Sequence, residues 1–211
     1  MRTVLRATSV LASALIMAAA AGQPAAAAGD DTAASRTAST TIVPGPEGIA
    51  SGALHALQTW GYGGIGGTWL AVGQPNTLNR DDRAVFRFDI RMYLTAGKVT
   101  KATLRLRVTP QSRGETFCLD HYATERFVLS VKDIGSTQVE KVASFEVVKG
   151  LTAGLPLSFD VTAQVNRDVE SGFGFSAFRL RSEFAETSGN PDNQPSLITI
   201  VNDTLALEIT P

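Results

Sequence analysis

The stretch RAVFRFDIRMY, Arg83 to Tyr93, decides the fold class. Val85, Arg87, Asp89 and Arg91 alternate with Phe86, Phe88, Ile90 and Met92. A period of two is that of a β-strand with one buried face and one wet face. KATLRLRVTP repeats the pattern, with Leu104, Leu106 and Val108 inward and Arg105 and Arg107 outward. Further strand signals follow in RFVLSVKDI (Phe127, Leu129, Val131), VASFEVV, LPLSFDV, FGFSAFRLR and SLITIV…TLALEIT. Turn residues separate them: Gly97, Pro110, Gly114, Gly135, Gly150, Gly154, Asn190-Pro191 and Pro195. Many short alternating strands punctuated this way predict an all-β, jelly-roll-like antiparallel β-sandwich. The expected core includes Phe86, Phe88, Ile90, Leu104, Leu106, Phe159 and Phe175.

One short helix interrupts the strands. DVTAQVNRDVESG places Val161, Val165 and Val169 at helical spacing. Asp160 or Thr162 is positioned to cap its start and Gly172 to stop it.

The N-terminal region has a different character. Arg2 and Arg6 precede an uncharged, mostly apolar run from Ala7 to Gly22, and Ala25 to Ala28 offer the small residues a signal peptidase needs. This is the layout of a secretory signal over residues 1–28, so a secreted, extracellular protein is expected. The run is short and alanine-rich beside the ~20 strongly apolar residues of a membrane span, so no stable insertion is expected after cleavage. Residues 29–40 are small and polar and read as a flexible lead-in; 41–211 form the folded domain. Removing Arg2 and Arg6 from the 19 basic residues leaves 17 against 20 acidic, a formal charge of −3. Such a surface holds no attraction for nucleic acid. The single cysteine, Cys118, rules out an intramolecular disulfide and reads as a small buried apolar residue.

These motifs carry a resemblance. Val72-Gly73, Phe88-Asp89, Val99 with Ala102, Leu104 and Leu106, Asp160-Val161-Thr162, Ser182-Glu183 and Pro195-Ser196-Leu197 recur in this order. In this the chain resembles the DNRLRE-type, carbohydrate-binding-module-like sandwich of secreted bacterial proteins, over roughly Thr41 to Pro211. The resemblance implies a jelly roll, of a kind usually appended to enzymes or surface proteins that act on polysaccharide. Trp60-Gly61-Tyr62-Gly63 stands where that family has an Asn-Tyr-Gly corner.

The functional candidates are few. QTWGYGGIGGTWLAVG, Gln58 to Gly73, holds both tryptophans of the chain. A strand follows its glycines and no lysine accompanies them, so it is not a phosphate-binding loop. It reads as a corner between strands in which Trp60 and Tyr62 stand uncrowded, with Trp69 on the strand beyond. Flat rings with a polar tip suit the alternating CH and OH surface of a sugar, so these three are the candidate ligand-binding residues. NTLNRDD gathers Asn76, Asn79, Asp81 and Asp82. With oxygen ligands from Asn79, Asp81 and Asp82 it is the candidate calcium site, and the same residues equally make a plain polar turn.

Catalytic signals are thin. His55 and His121 are the only histidines, neither in a recognisable triad context, and zinc would need more ligands than cluster here. Asp89, Asp160 and Glu183 each fit a turn or strand-edge role. The expected function is therefore a non-catalytic module for polysaccharide or cell-wall glycan. The alternatives are a structural or adhesive protein that contacts other proteins, and a small polysaccharide-active enzyme.

Overall fold

The structure, a computed structural model, describes residues 38–45, 48–54, 60–65, 69–74, 81–110, 115–125, 129, 131–135, 138–148, 154–183 and 196–211. Among these residues it is an all-β, antiparallel sandwich with one helix longer than a single turn. Strand β5 (Asp81–Asp89) lies at the centre of the first sheet. On one side it pairs with β2 (Ile49–Leu54), which pairs in turn with β3 (Trp60–Ile65). On the other side come β10 (Phe175–Ser182), β7 (Glu115–Tyr122) and β8 (Glu140–Val147).

The second sheet is built on β6 (Lys101–Pro110). One edge of β6 pairs with β9 (Leu155–Asp160). Its other edge is shared by β12 (Ala206–Thr210), which carries β1 (Thr40–Ile42), and by β11 (Ser196–Val201), which carries β4 (Trp69–Gln74). The two sheets meet where Gly73 on β4 pairs with Asp82 on β5. Gly73 has φ of 120°, a conformation side chains avoid, so glycine suits this position.

The alternation seen in the sequence fills the space between the sheets. Phe86, Phe88 and Phe178 pack ring to ring at 6.2–6.4 Å and are fully buried. Leu104, Leu106 and Val108 face them from β6. Phe145 of β8 meets Phe159 of β9 at 5.7 Å, so the last strands of the two sheets close on each other.

Several expectations need correction. The wet face of RAVFRFDIRMY is wet only at its end: Asp89 and Arg91 are exposed, whereas Val85 and Arg87, with Arg83 before them, are buried. The segment after β7 covers that face, and its Leu129 and Ile134 pack on Val85, Ala177 and Ala50. Part of this segment, read as a strand, is instead a helical turn, α1 (Val131–Ile134). Its Ile134 carbonyl accepts a hydrogen bond from Arg179 Nη1 at 3.3 Å. Arg179 and Arg181 also converge on Asp120 Oδ2, at 2.8 and 2.7 Å, which supplies the counter-charge a buried guanidinium requires. Burial, then the charge of Arg83, holds the Arg179 pKa below its ordinary range.

Phe175, expected in the core, sits on the outer side of β10 with the Arg87 guanidinium 4.3 Å from its ring centre. Ser176 and Phe178 take the inward positions of that strand. Met92, expected on the buried face, lies past the end of β5 in a 3-10 turn and is 61% exposed. Cys118 is fully buried, with Sγ 3.8 Å from Ser144 Oγ.

Helix α2 (Thr162–Glu170) follows β9 directly. Asp160 Oδ1 accepts from the Thr162 amide at 3.0 Å and from its hydroxyl at 2.6 Å, fixing the helix start. These two bonds, the hydroxyl's first, hold the Asp160 carboxyl below the usual carboxylate range. Val161, Val165 and Val169 are buried as their spacing predicts. At the far end the Gly172 amide bonds to the Val169 carbonyl and the Phe173 amide to the Asp168 carbonyl. This is a Schellman closure, and Gly172 supplies the left-handed residue it needs at φ 76°.

Candidate functional site

The C-terminal end of α2 lies against the end of β7. Asp168 lies seven residues beyond Val161 and three beyond Val165, on the helix stripe that is otherwise apolar. It therefore points into the protein, where its Oδ2 lies 2.8 Å from His121 Nε2. Both side chains are almost fully buried, at 5% and 2% exposure. The His121 ring rests on Phe178, 5.5 Å between centres. The pair thus ties the helix to the middle of the first sheet.

A cavity of about 320 Å³ opens beside this pair. β7 contributes His121 and Tyr122, and the end of α2 contributes Arg167, Asp168, Ser171 and Phe173. The third wall is Gln138, Val139 and Glu140, at the entry to β8. Across its mouth Arg167 clasps Glu140: Nη1 bonds Oε2, and Nη2 lies 3.5 Å from Oε1. Gln164 Nε2 adds a bond to Oε1 at 3.3 Å. These donors, Arg167 foremost, hold the Glu140 carboxyl below the usual carboxylate range against an opposing effect of burial. Glu140 therefore stays an ionised acceptor through mildly acid conditions. The arrangement offers fixed polar groups beside one half-buried ring, Phe173, while Tyr122 packs away from it against Val85 and Ala177; polar groups beside an apolar surface are the mixture typical of small-ligand sites.

A second hollow, of about 420 Å³, runs over the outer face of β6 and β9. Arg105, Arg107, Pro156, Ser158 and Thr204 line it. Arg105 is paired with Glu208 at 2.9 Å, and Thr204 Oγ1 accepts from the Arg107 backbone amide at 2.9 Å. Few polar groups converge there, so the cavity at His121 is the better defined site.

The sequence candidates fall elsewhere. Trp60 and Tyr62 lie on β3, so the glycine-rich stretch is an edge strand from Trp60 to Ile65 rather than a corner. Trp69 is on β4 in register with Val201 of β11, in the other sheet. The backbone does not bring the three onto one strand pair.

For the candidate calcium site, Asn76 and Asn79 lie outside the described residues. Asp81 Oδ2 is held by Arg83 Nε at 2.7 Å. Asp81 and Asp82 are neighbours on a strand, so their side chains leave opposite faces and do not converge on one ion. Among the described residues no group of three His, Cys, Asp or Glu side chains is placed to hold a metal. His55 also lies outside the described residues.

The three carboxylates set aside as turn or edge residues are each engaged locally. Asp89 bonds Arg91, Asp160 bonds Thr162, and Glu183 bonds Lys141 at 2.7 Å.

No family model and no curated protein matches this chain. Among the described residues, no helix is long and apolar enough to cross a membrane.

The residues that build the cavity were not singled out in the sequence, apart from His121. One signal was legible. Asp168 interrupts the valine stripe of an amphipathic helix, and a buried carboxylate needs a partner.

Proposed function

We propose that this is a secreted, non-catalytic binding module for a polysaccharide or cell-wall glycan. One observation carries the reading: the cavity in which the hydrogen-bonded His121–Asp168 and Arg167–Glu140 pairs stand beside the half-buried Phe173. Sugar rings present hydroxyls at their rim and C–H groups on their faces. Fixed polar side chains next to aromatic surfaces meet both. The acidic net charge and the secretory layout of the N-terminus agree with an extracellular glycan as partner.

The test is retention of the protein from residue 29 onward on a panel of insoluble glycans, followed by a glycan array. Retention on at least one glycan, competed by its soluble fragments, is the expected result. Passage through every glycan in both formats refutes the reading. Trp60→Ala separates the cavity from the glycine-rich strand. Loss of retention with an unchanged melting temperature would move the site to Trp60. Export is tested by N-terminal sequencing of secreted material, expected to begin near Gly29; intact Met1 protein in the membrane fraction refutes it.

A further inference from the structure

The glycan reading leaves open which glycans the cavity accepts, and its charge and size narrow the choice. Two carboxylates, Glu140 and Asp168, face one guanidinium, Arg167, while His121 is already engaged by Asp168. Among the described lining residues the one Lys or Arg is Arg167, and it is neutralised by Glu140. A ligand carboxylate entering here would compete with Glu140 for Arg167 and meet Asp168 behind it, and like charges at close range select against a partner. Hydroxyls meet no such penalty: Glu140 accepts from them, and charge-assisted bonds of this kind are the stronger ones.

Size sets the second limit. Ligand pockets span roughly 300–1,000 Å³, so a cavity of about 320 Å³ is at the small end. It is bounded by three elements instead of running along a sheet face, and it suits the end of a chain better than its middle.

We infer that the cavity at His121 receives the terminal sugar of an uncharged glycan, with Glu140 as the principal acceptor for its hydroxyls. The assignment rests on the glycan-binding reading above. It predicts that acidic glycans are excluded and that affinity stops rising once an oligosaccharide outgrows the pocket.

Calorimetric titration tests this. Cello-oligosaccharides and N-acetylchito-oligosaccharides of increasing length serve as uncharged probes, and oligogalacturonate as the acidic one. The expected result is binding in an uncharged series that levels off at short length, with none to oligogalacturonate. Glu140→Gln should weaken binding about tenfold or more through loss of the charged acceptor. Glu140→Ala should weaken it further, and Arg105→Ala, on the other hollow, should leave it unchanged. Both Glu140 variants are checked for an unaltered far-UV spectrum and melting temperature.

Tighter binding of oligogalacturonate, affinity that climbs steadily with length, or indifference to both Glu140 substitutions overturns the assignment and leaves glycan binding standing. Failure of every glycan, in titration and on the insoluble panel, brings down the functional reading with it.

Discussion

Replacing Asn166 by alanine should destabilise the protein far more than a single polar helix residue ordinarily would. Its amide acts as a missing strand: Oδ1 accepts from the Val99 amide at 2.7 Å, and Nδ2 donates to the Val99 carbonyl at 3.0 Å. Val99 is 1% exposed and Asn166 is 8% exposed, so water does not readily replace the lost partner. Each stranded buried polar group costs about 1–3 kcal/mol. Allowing for relaxation, two of them give about 2–4 kcal/mol. In a domain of this size that lowers the melting temperature by about 4–16 °C. The assay is a urea titration with a thermal scan, using the exposed neighbour Glu170→Ala as control, expected within about 0.5 kcal/mol of wild type.

Asn166→Asp adds a pH signature. A protonated carboxyl can still accept with one oxygen and donate with the other, whereas the ionised form points a charge at the Val99 carbonyl. The folded pKa of this aspartate would be raised. Its stabilisation is therefore present below the unfolded value of about 3.9 and is lost as pH rises through the folded value. A cost below about 0.5 kcal/mol for Asn166→Ala, or an Asn166→Asp variant whose stability relative to wild type does not change with pH, would refute the reasoning.

Other substitutions probe the core, the helix ends and the pH dependence. Phe88→Ala removes a fully buried ring packed on Phe86 and Phe178 and should cost about 3–5 kcal/mol in a denaturant titration; less than about 1 kcal/mol would mean the strand face is inverted. Gly172→Ala meets no atom within 4 Å, so its cost comes from the left-handed backbone alone, about 1–2 kcal/mol, and a neutral outcome would contradict the Schellman closure. Asp160 has a lowered pKa, so its contribution is present above the unfolded carboxylate value and is lost as pH falls through the folded one. Asp160→Asn should flatten the acid limb of the pH–stability curve and cost less than about 1 kcal/mol near neutrality, because the site is largely solvent-screened. An acid limb as steep as the wild type's would assign that dependence to other carboxylates.

The sequence by itself determined the elements whose signals are local. Alternation at Phe86–Phe88, at Leu104–Leu106–Val108 and in LPLSFDV reports that one side of a strand is apolar, and each of these segments is a strand. The helix limits were legible at Asp160 and Gly172, because capping and the left-handed stop act within a few residues. β3 gave no such signal: three of its six residues, Gly61, Gly63 and Gly64, have no side chains to alternate, and its pairing with β2 decides its conformation.

Tertiary structure decided the rest, because a period states that a face is apolar and not what covers the other one. The charged side of β5 and β10 is buried only because the segment around Leu129 and Ile134 folds over it and Asp120 neutralises two arginines there. The candidate site has the same origin. His121 and Asp168 are 47 residues apart, and Glu140 and Arg167 are 27 apart. No local periodicity relates groups at such separations. They meet because α2 crosses from the second sheet to the end of the first, where the buried Asp168 lowers its desolvation cost by bonding His121.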